Sequence, residues 1–282
     1  MSSLRHHYVP QGYLRGFSCP ARGRQFVWVY DKRTGRAPTC KSVKSIAWAP
    51  AYYAQERGDG SLDTDTLENG IAVNIDTKAA ELIASQDPMS QQLALDNDQR
   101  SILAYFIGLS LTRVPSFRDG VRDVYSQIAQ YTAEIIAPKL WHGPGPVPKL
   151  KAEAKEWITL EHMVKGAQDI ASSLTAKNWQ FFRAPSTTPF ITSDNPVVFN
   201  GIAPAHPDCE VIMALTNRLA IVCTPRSTGV RYPVFDAPRQ QVKSMNSTIA
   251  RAARHRIFAS ERADGLERLA KKFSMFEQRI AT

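Results

Sequence analysis

The segment 96–112 sets the strongest limit on what this chain can fold into. Ile102, Leu103, Phe106, Leu109 and Leu111 leave almost no polar face. A helix that is apolar nearly all round has to be enclosed by protein, so it is expected at the centre. Asp96 is its candidate N-cap. A chain of 282 residues is long enough to build a core around such a helix.

Other helices follow from spacing and breakers. Pro115 ends the central run, and a second helix is predicted over 116–136. Leu67, Ile71, Ile75, Ala79 and Leu82 recur at steps of three and four, which predicts a helix over 63–85. Thr64 or Asp65 would cap it, with Glu68 three residues after Asp65. A helical pattern resumes over 160–176. Between lies 138–148, with four prolines and two glycines. It reads as a loop and is the one candidate domain boundary.

Strand signals lie at the two ends. Residues 24–30 are aromatic and β-branched and run into a turn at 31–35. A short strand is expected at 51–53. After Asn178, short apolar runs at 179–183, 190–192, 197–199, 211–215 and 219–223 are separated by Pro, Asn and Asp. Then come a helix over 237–255, a strand over 256–260 and a basic helix over 265–276. Helices and strands segregate along the chain, which argues for an α+β fold. The expected architecture is a helical central part, about 63–176, with a mostly antiparallel sheet from the N-terminal strand and the segments after 178. One domain over 1–282 is expected.

Composition excludes several classes. No apolar run approaches the roughly 20 residues of a membrane span. The N-terminus lacks the apolar stretch of a secretory signal. Cys19, Cys40, Cys209 and Cys223 form no C-x-x-C pair, which argues against a zinc knuckle. A cytoplasmic location is the expectation. There is no Walker loop, G-x-S-x-G, H-E-x-x-H or glycine-rich dinucleotide turn.

The net charge is +9 and unevenly spread. Residues 1–45 hold nine Lys/Arg and one acid, whereas 46–100 hold three basic and ten acidic residues. Such asymmetry suits an anionic partner such as nucleic acid, phosphate or an acidic protein surface. The two segments could equally fold against one another.

Three motifs could carry chemistry. In Arg5-His6-His7-Tyr8-Val9-Pro10-Gln11, a histidine can act as general base, bind a metal or contact phosphate. An extended segment would send His6 and His7 to opposite faces. In Thr192-Ser193-Asp194-Asn195-Pro196, carboxylate and amide sit at a strand end, where substrate contacts are common. Asx-turn chemistry explains the same residues without catalysis. Around Pro115, Arg113 ends one helix, where the dipole favours a cation, while Arg118 starts the next, where it does not. Arg118 is therefore the better candidate for an anion contact.

At these residues the chain resembles the bacterial proteins catalogued as domain of unknown function 4238. The resemblance opens at His6-His7-Tyr8-Val9-Pro10-Gln11-Gly12-Tyr13-Leu14-Arg15-Gly16-Phe17. It continues through Tyr30-Asp31, Leu67-Glu68, Arg113-Val114-Pro115 with Arg118, and Ile191 to Pro196. It closes on Asn246, Ala250, Ala253 and Ile257. That family has no assigned reaction, so the resemblance implies a grouping of residues and not a chemistry. The helix after Glu68 often carries a second acid about two turns on, and Asn74 stands near that place here.

Two functions are expected to compete. The first is an enzyme acting on a phosphate-containing substrate, a nuclease of a bacterial defence or mobile-element system. His6, His7, Asp194 and Asn195 would be catalytic, and Arg113, Arg118, Arg5 and Gln11 would hold substrate. Asp194, with Glu68, would bind Mg2+ or Mn2+. The second is a non-catalytic module that binds nucleic acid or protein through its basic ends. Tyr8, Tyr13, Phe17, Phe26 and Trp28 could then stack bases, although such residues are more often core.

Overall fold

The computed structural model describes residues 5–19, 25–87, 89–146, 151–152, 154, 156–225 and 232–276. The chain begins with β1 (Arg5–His7), α1 (Gln11–Leu14) and a 3-10 turn, Arg15–Phe17. Next come β2 (Phe26–Asp31), β3 (Thr39–Ser42), β4 (Trp48–Pro50), β5 (Gln55–Glu56) and β6 (Leu62–Asp63). The helical part holds α2 (Thr66–Ile71), a π-helical stretch Ala72–Thr77, and α3 (Lys78–Ser85). It continues with α4 (Asn97–Thr112), α5 (Pro115–Leu140) and α6 (Glu156–Ala176). Then follow β7 (Asn178–Arg183), β8 (Thr192–Ser193), β9 (Val197–Asn200), β10 (Glu210–Ala214), β11 (Leu219–Thr224) and β12 (Val234–Asp236). The remaining elements are α7 (Arg239–Ala252), β13 (Arg256–Ala259) and α8 (Asp264–Lys272).

The α+β expectation holds, with the strands divided between two main sheets. One runs β12-β7-β11-β10-β9 and the other β3-β2-β13-β8. Only β12 against β7 is parallel among the described pairs. β11 (LAIVCT) is buried on both faces over its first five residues, as an unbroken apolar run at the middle of a sheet should be. β7 alternates buried and half-buried residues, the period-two pattern of a strand with one drier face. β1 and β4 make a separate antiparallel pair, with His6 opposite Ala49.

The central helix is where the sequence places it. Asp96 accepts the Gln99 N–H at 2.8 Å while the Gln99 side chain accepts the Asp96 N–H at 3.1 Å, a complete capping box. From Phe106 to Thr112 every residue of α4 is buried. α4 packs closely on α6, because a Cβ at Gly108 would stand 2.5 Å from the Ala167 carbonyl oxygen. The main apolar cluster draws Val9, Phe106, Phe181 and Ile257 together. Tyr13 and Phe17 belong to it, Tyr8 and Trp28 pack against it, and Phe26 is exposed.

Three local expectations are corrected. Residues 51–53 form a turn instead of a strand, with Ala51 in the left-handed region and the pairing residues just before it in β4. Pro115 opens α5 as its first residue, where its missing N–H costs nothing. The loop expected at 138–148 starts later, because α5 carries Pro138 in its last turn and the Trp141 N–H still reaches the Ala137 carbonyl at 2.9 Å. Residues 147 and 148 of that loop lie outside the described residues, as does Arg24 of the first strand.

Candidate functional site

Five of the predicted site residues, Arg5, His6, His7, Gln11 and Glu68, line one cleft. A second pocket shares three of its residues; we name this second pocket the inner lobe and the first the outer lobe. The inner lobe, of about 570 Å3, lies between the α1 turn and the helical stretch 68–84, with Leu215 and Thr216 on its border. The outer lobe, of about 520 Å3, is lined by Arg5, His6, His7, Gln11, Lys44, Asp65, Glu68 and Asn69. His7, Gln11 and Glu68 line both lobes.

The opening motif builds the cleft's near wall. Pro10 precedes α1 in an extended conformation and fixes where that helix starts. β1 directs its two histidines differently, as alternation requires. His6 is buried; its Nδ1 accepts the Tyr53 N–H at 2.9 Å and its ring stacks on Tyr53 at 5.6 Å. His7 is half-buried, and its Nδ1 accepts from Gln11 Nε2 at 3.4 Å. His7 Nε2 lies toward the carbonyls of Val43 and Lys44 but makes no hydrogen bond of standard geometry. Burial lowers the pKa of both histidines, so both are neutral near pH 7.

The far wall is the acidic helix. Burial, then the Asp76 charge, pushes Glu68 up to about 7, while Arg113 and the His7 backbone N–H pull it down. Asp76 also lines the inner lobe. It accepts from Arg113 Nη1 at 2.9 Å on each carboxylate oxygen. Asp76 is the next acid after Glu68, eight residues on, and Asn74, six residues on, is exposed. Eight residues of ordinary α-helix overshoot two turns by about 80°. The wider winding of the π stretch Ala72–Thr77 reduces that overshoot and keeps Asp76 on the Glu68 side.

The arginine pair does not reach substrate space. Arg113 is fully buried at the C-cap of α4 and is held by Asp76 and Ser110. Arg118 is buried too; its guanidinium donates to the Tyr52 carbonyl and to Thr159 Oγ1 and lies 4.1 Å over the Tyr52 ring. Both guanidinium groups are therefore committed within the protein.

Asp194 and Asn195 form a separate cluster. The Asp194 carboxylate accepts the backbone N–H groups of Arg254, His255 and Arg256 at 2.9 to 3.0 Å. It thereby ties the β8 end to the turn between α7 and β13. Burial raises its pKa to about 6, against the pull of those amides and of the Lys32 charge. Asn195 is buried, donates to the Ala252 carbonyl at 3.1 Å and sits in a turn closed by Ser193 Oγ. No hydrogen bond or ion pair joins Asp194 to His6, His7 or Glu68 among the described residues. The expected metal ligands Asp194 and Glu68 have different surroundings: Asp194 faces three backbone amides and Glu68 lines the cleft. Among the described residues no three His, Cys, Asp or Glu side chains are grouped to hold a metal.

Asp76, Lys44, Asn69 and Arg15 also line the cleft; the opening motif contained Arg15 without a role, and motif reading missed the other three. Only Asp76 left a signal, its place two turns beyond Glu68.

Neither the curated proteins nor the solved structures contain a match to this chain. A family model does match it, over residues 5–263, a span that includes every residue lining the cleft, the Asp76–Arg113 pair and the Asp194 turn. The chain belongs to the family described as protein of unknown function DUF4238.

Proposed function

We propose that the protein cleaves phosphodiester bonds, as a nuclease, and that the two-lobed cleft is where it does so. One observation carries the reading. His7 and Glu68 each line both lobes, and their proton affinities are displaced in opposite directions. A histidine lowered below 6.5 is a free base near neutral pH, and a carboxyl raised to about 7 keeps its proton in part of the molecules. A neutral histidine and a carboxyl that keeps its proton can serve as general base and general acid. His7 Nδ1 is the base once a substrate displaces Gln11, and Glu68 is the acid. Gln11 then orients the reacting group. Arg5 and Lys44, on the outer lobe, supply positive charge for a phosphate.

Asp194 and Asn195 have no part in this chemistry; they position the chain around 252–256. Arg113 acts on Glu68 through Asp76. A role in defence or mobile elements belongs to this reading as a nuclease's setting and needs its own genetic test.

The test is an assay of single- and double-stranded DNA and RNA with Mg2+, with Mn2+ and with chelator. Wild type is expected to cut, Glu68→Gln and His7→Ala to lose about a hundredfold or more, and Asp194→Asn to keep activity in proportion to folded protein. Loss of cleavage on chelation would add a divalent cation to the site. No cleavage of any substrate, with retention that falls as salt rises, would replace the enzyme by a binding module.

A further inference from the structure

We propose that the distal half of α5 is a dimerisation arm, packed antiparallel against the same arm of a second copy of this chain. Its residues line neither lobe of the cleft, and the inference does not rest on the nuclease reading.

The arm begins where the body ends. Phe117 and Val121 are buried in the main apolar cluster, whereas Ile128 is 55%, Tyr131 67% and Ile135 43% exposed. From Val124 to Leu140 the sequence holds two charged residues, Glu134 and Lys139. A helix that stands in water carries charge over its free surface, so a stretch this poor in charge is built to be covered. Val124, Ile128, Tyr131 and Ile135 recur at steps of four, three and four, the spacing of a helix-pairing seam. Ile136 borders that seam on one side, about 80° round the helix from Ile128.

The protein's own chain takes the other side. The Ala154 N–H donates to Ser126 Oγ and the Ala152 N–H to Gln130 Oε1, each at 3.0 Å. Gln130 stands about 200° round the helix from Ile128. Ala152 and Ala154 therefore lie along the back of the arm, away from the seam. Glu134 leans the same way, because its carboxylate accepts from Gln130 Nε2 at 2.9 Å. Helices that bind anionic lipid are rich in lysine and arginine, and Lys139 is the single cation of this stretch. A protein partner suits it better.

The seam is complementary to itself, which is what an isologous dimer requires of one patch. Reversed and centred near residue 133, it sets Tyr131 at the level of Ile135 of the second copy, and Ile128 at the level of Pro138. Lys139 sits at the seam's end, where its stem covers apolar surface and its ammonium reaches water. The base of the helix excludes a parallel copy. There the seam direction is filled by the body around Val121, so a parallel partner would drive its own body into the first. Reversal puts the two bodies at opposite ends. Ile128, Tyr131, Ile135, Ile136 and Leu140 are 43 to 70% exposed. Together they offer on the order of 600 Å2 per copy, the lower edge of a specific interface. The dimer is therefore weak and depends on concentration.

Sedimentation velocity of the full chain from about 1 to about 100 μM is expected to show the mass double reversibly. Tyr131→Glu combined with Ile135→Glu, both at exposed positions, should stay monomeric and keep the melting temperature measured at the dilute end. Disulfides read the orientation. An oxidised mixture of Tyr131→Cys and Ile135→Cys proteins should give the mixed dimer beyond the wild-type background. Ile128→Cys alone should not link to itself, since its copy lies about 15 Å away along the arm. A wild-type chain that stays monomeric throughout this range, or a dimer that survives the double substitution, overturns the proposal. Ile128→Cys linking to itself overturns the antiparallel arrangement. A monomer that sediments with vesicles of phosphatidylcholine and phosphatidylserine, and no longer does so in the double variant, gives the face to lipid instead.

Discussion

At the scale of single residues, two carboxylates with raised proton affinity have opposite meanings. Glu68 faces a cleft, whereas Asp194 faces three backbone amides. Asp194→Ala should therefore act on stability, since it leaves those buried N–H groups without their acceptor. A loss of about 3 kcal/mol is expected in urea denaturation. A protein of wild-type stability after that change would show that the amides had found water or another partner. Glu68 carries a pH signature as well. Its folded-state pKa lies above the ordinary carboxylate value, so the folded chain binds the proton more tightly. The stability it contributes is complete below about 4.5 and is lost as pH rises through about 7. Glu68→Gln removes that dependence. The melting temperature of the variant, minus that of wild type, should grow between pH 5 and pH 8, and a constant difference would contradict the raised affinity.

At the scale of elements, the π stretch between α2 and α3 decides which acid faces Arg113. Deleting the exposed Asn74 returns this stretch toward α winding and rotates Asp76 away from its partner. Arg113 would then be a buried charge without its carboxylate, a change of about 3–5 kcal/mol when one partner of such a pair is lost. Asn74→Ala keeps the winding and should be nearly neutral, so thermal melts of the two proteins separate register from side chain. The α4–α6 crossing supplies another expectation. Gly108→Ala drives a Cβ into the Ala167 carbonyl, and overpacking of this kind costs about 1–3 kcal/mol. A Gly108→Ala protein as stable as wild type would mean that the helices slide apart without penalty. α5 shows a helix whose surroundings change along its length. Phe117, Arg118 and Val121 are buried near its start, whereas Ile128, Tyr131 and Leu140 are exposed.

At the scale of the whole molecule, charge separation along the chain becomes proximity in space. Arg5 and Lys44 of the basic N-terminal segment line the same lobe as Asp65 and Glu68 of the acidic one. Summed charge therefore overstates how much positive surface is free to meet an anion. The net charge of +9 still predicts salt-dependent retention of nucleic acid. Retention of DNA or RNA on the His7→Ala protein should weaken steadily with added salt, and retention indifferent to salt would remove phosphate contacts from the account. None of the described helices is long and apolar enough to cross a membrane.

The sequence by itself determined the elements and their class. The all-round apolar face of α4, the capping box at Asp96, the unbroken apolar run of β11 and the alternation in β7 are local patterns. Each is set by burial and backbone hydrogen bonding within one segment. The opening motif was legible as a candidate by its residue types. That His6 and His7 both line one lobe was decided by the structure, since alternation along β1 argued for one of them only. The tertiary structure alone decided which polar groups meet. Arg113 and Arg118 were both candidate anion contacts, Arg118 the better of the two, yet Asp76 claims the one and Tyr52 and Thr159 the other. Asp194 looked like a metal ligand, yet the amides of a turn some 60 residues on claim its carboxylate. Buried polar groups must be satisfied, and their partners come from elements distant in sequence, a choice that local pattern does not encode.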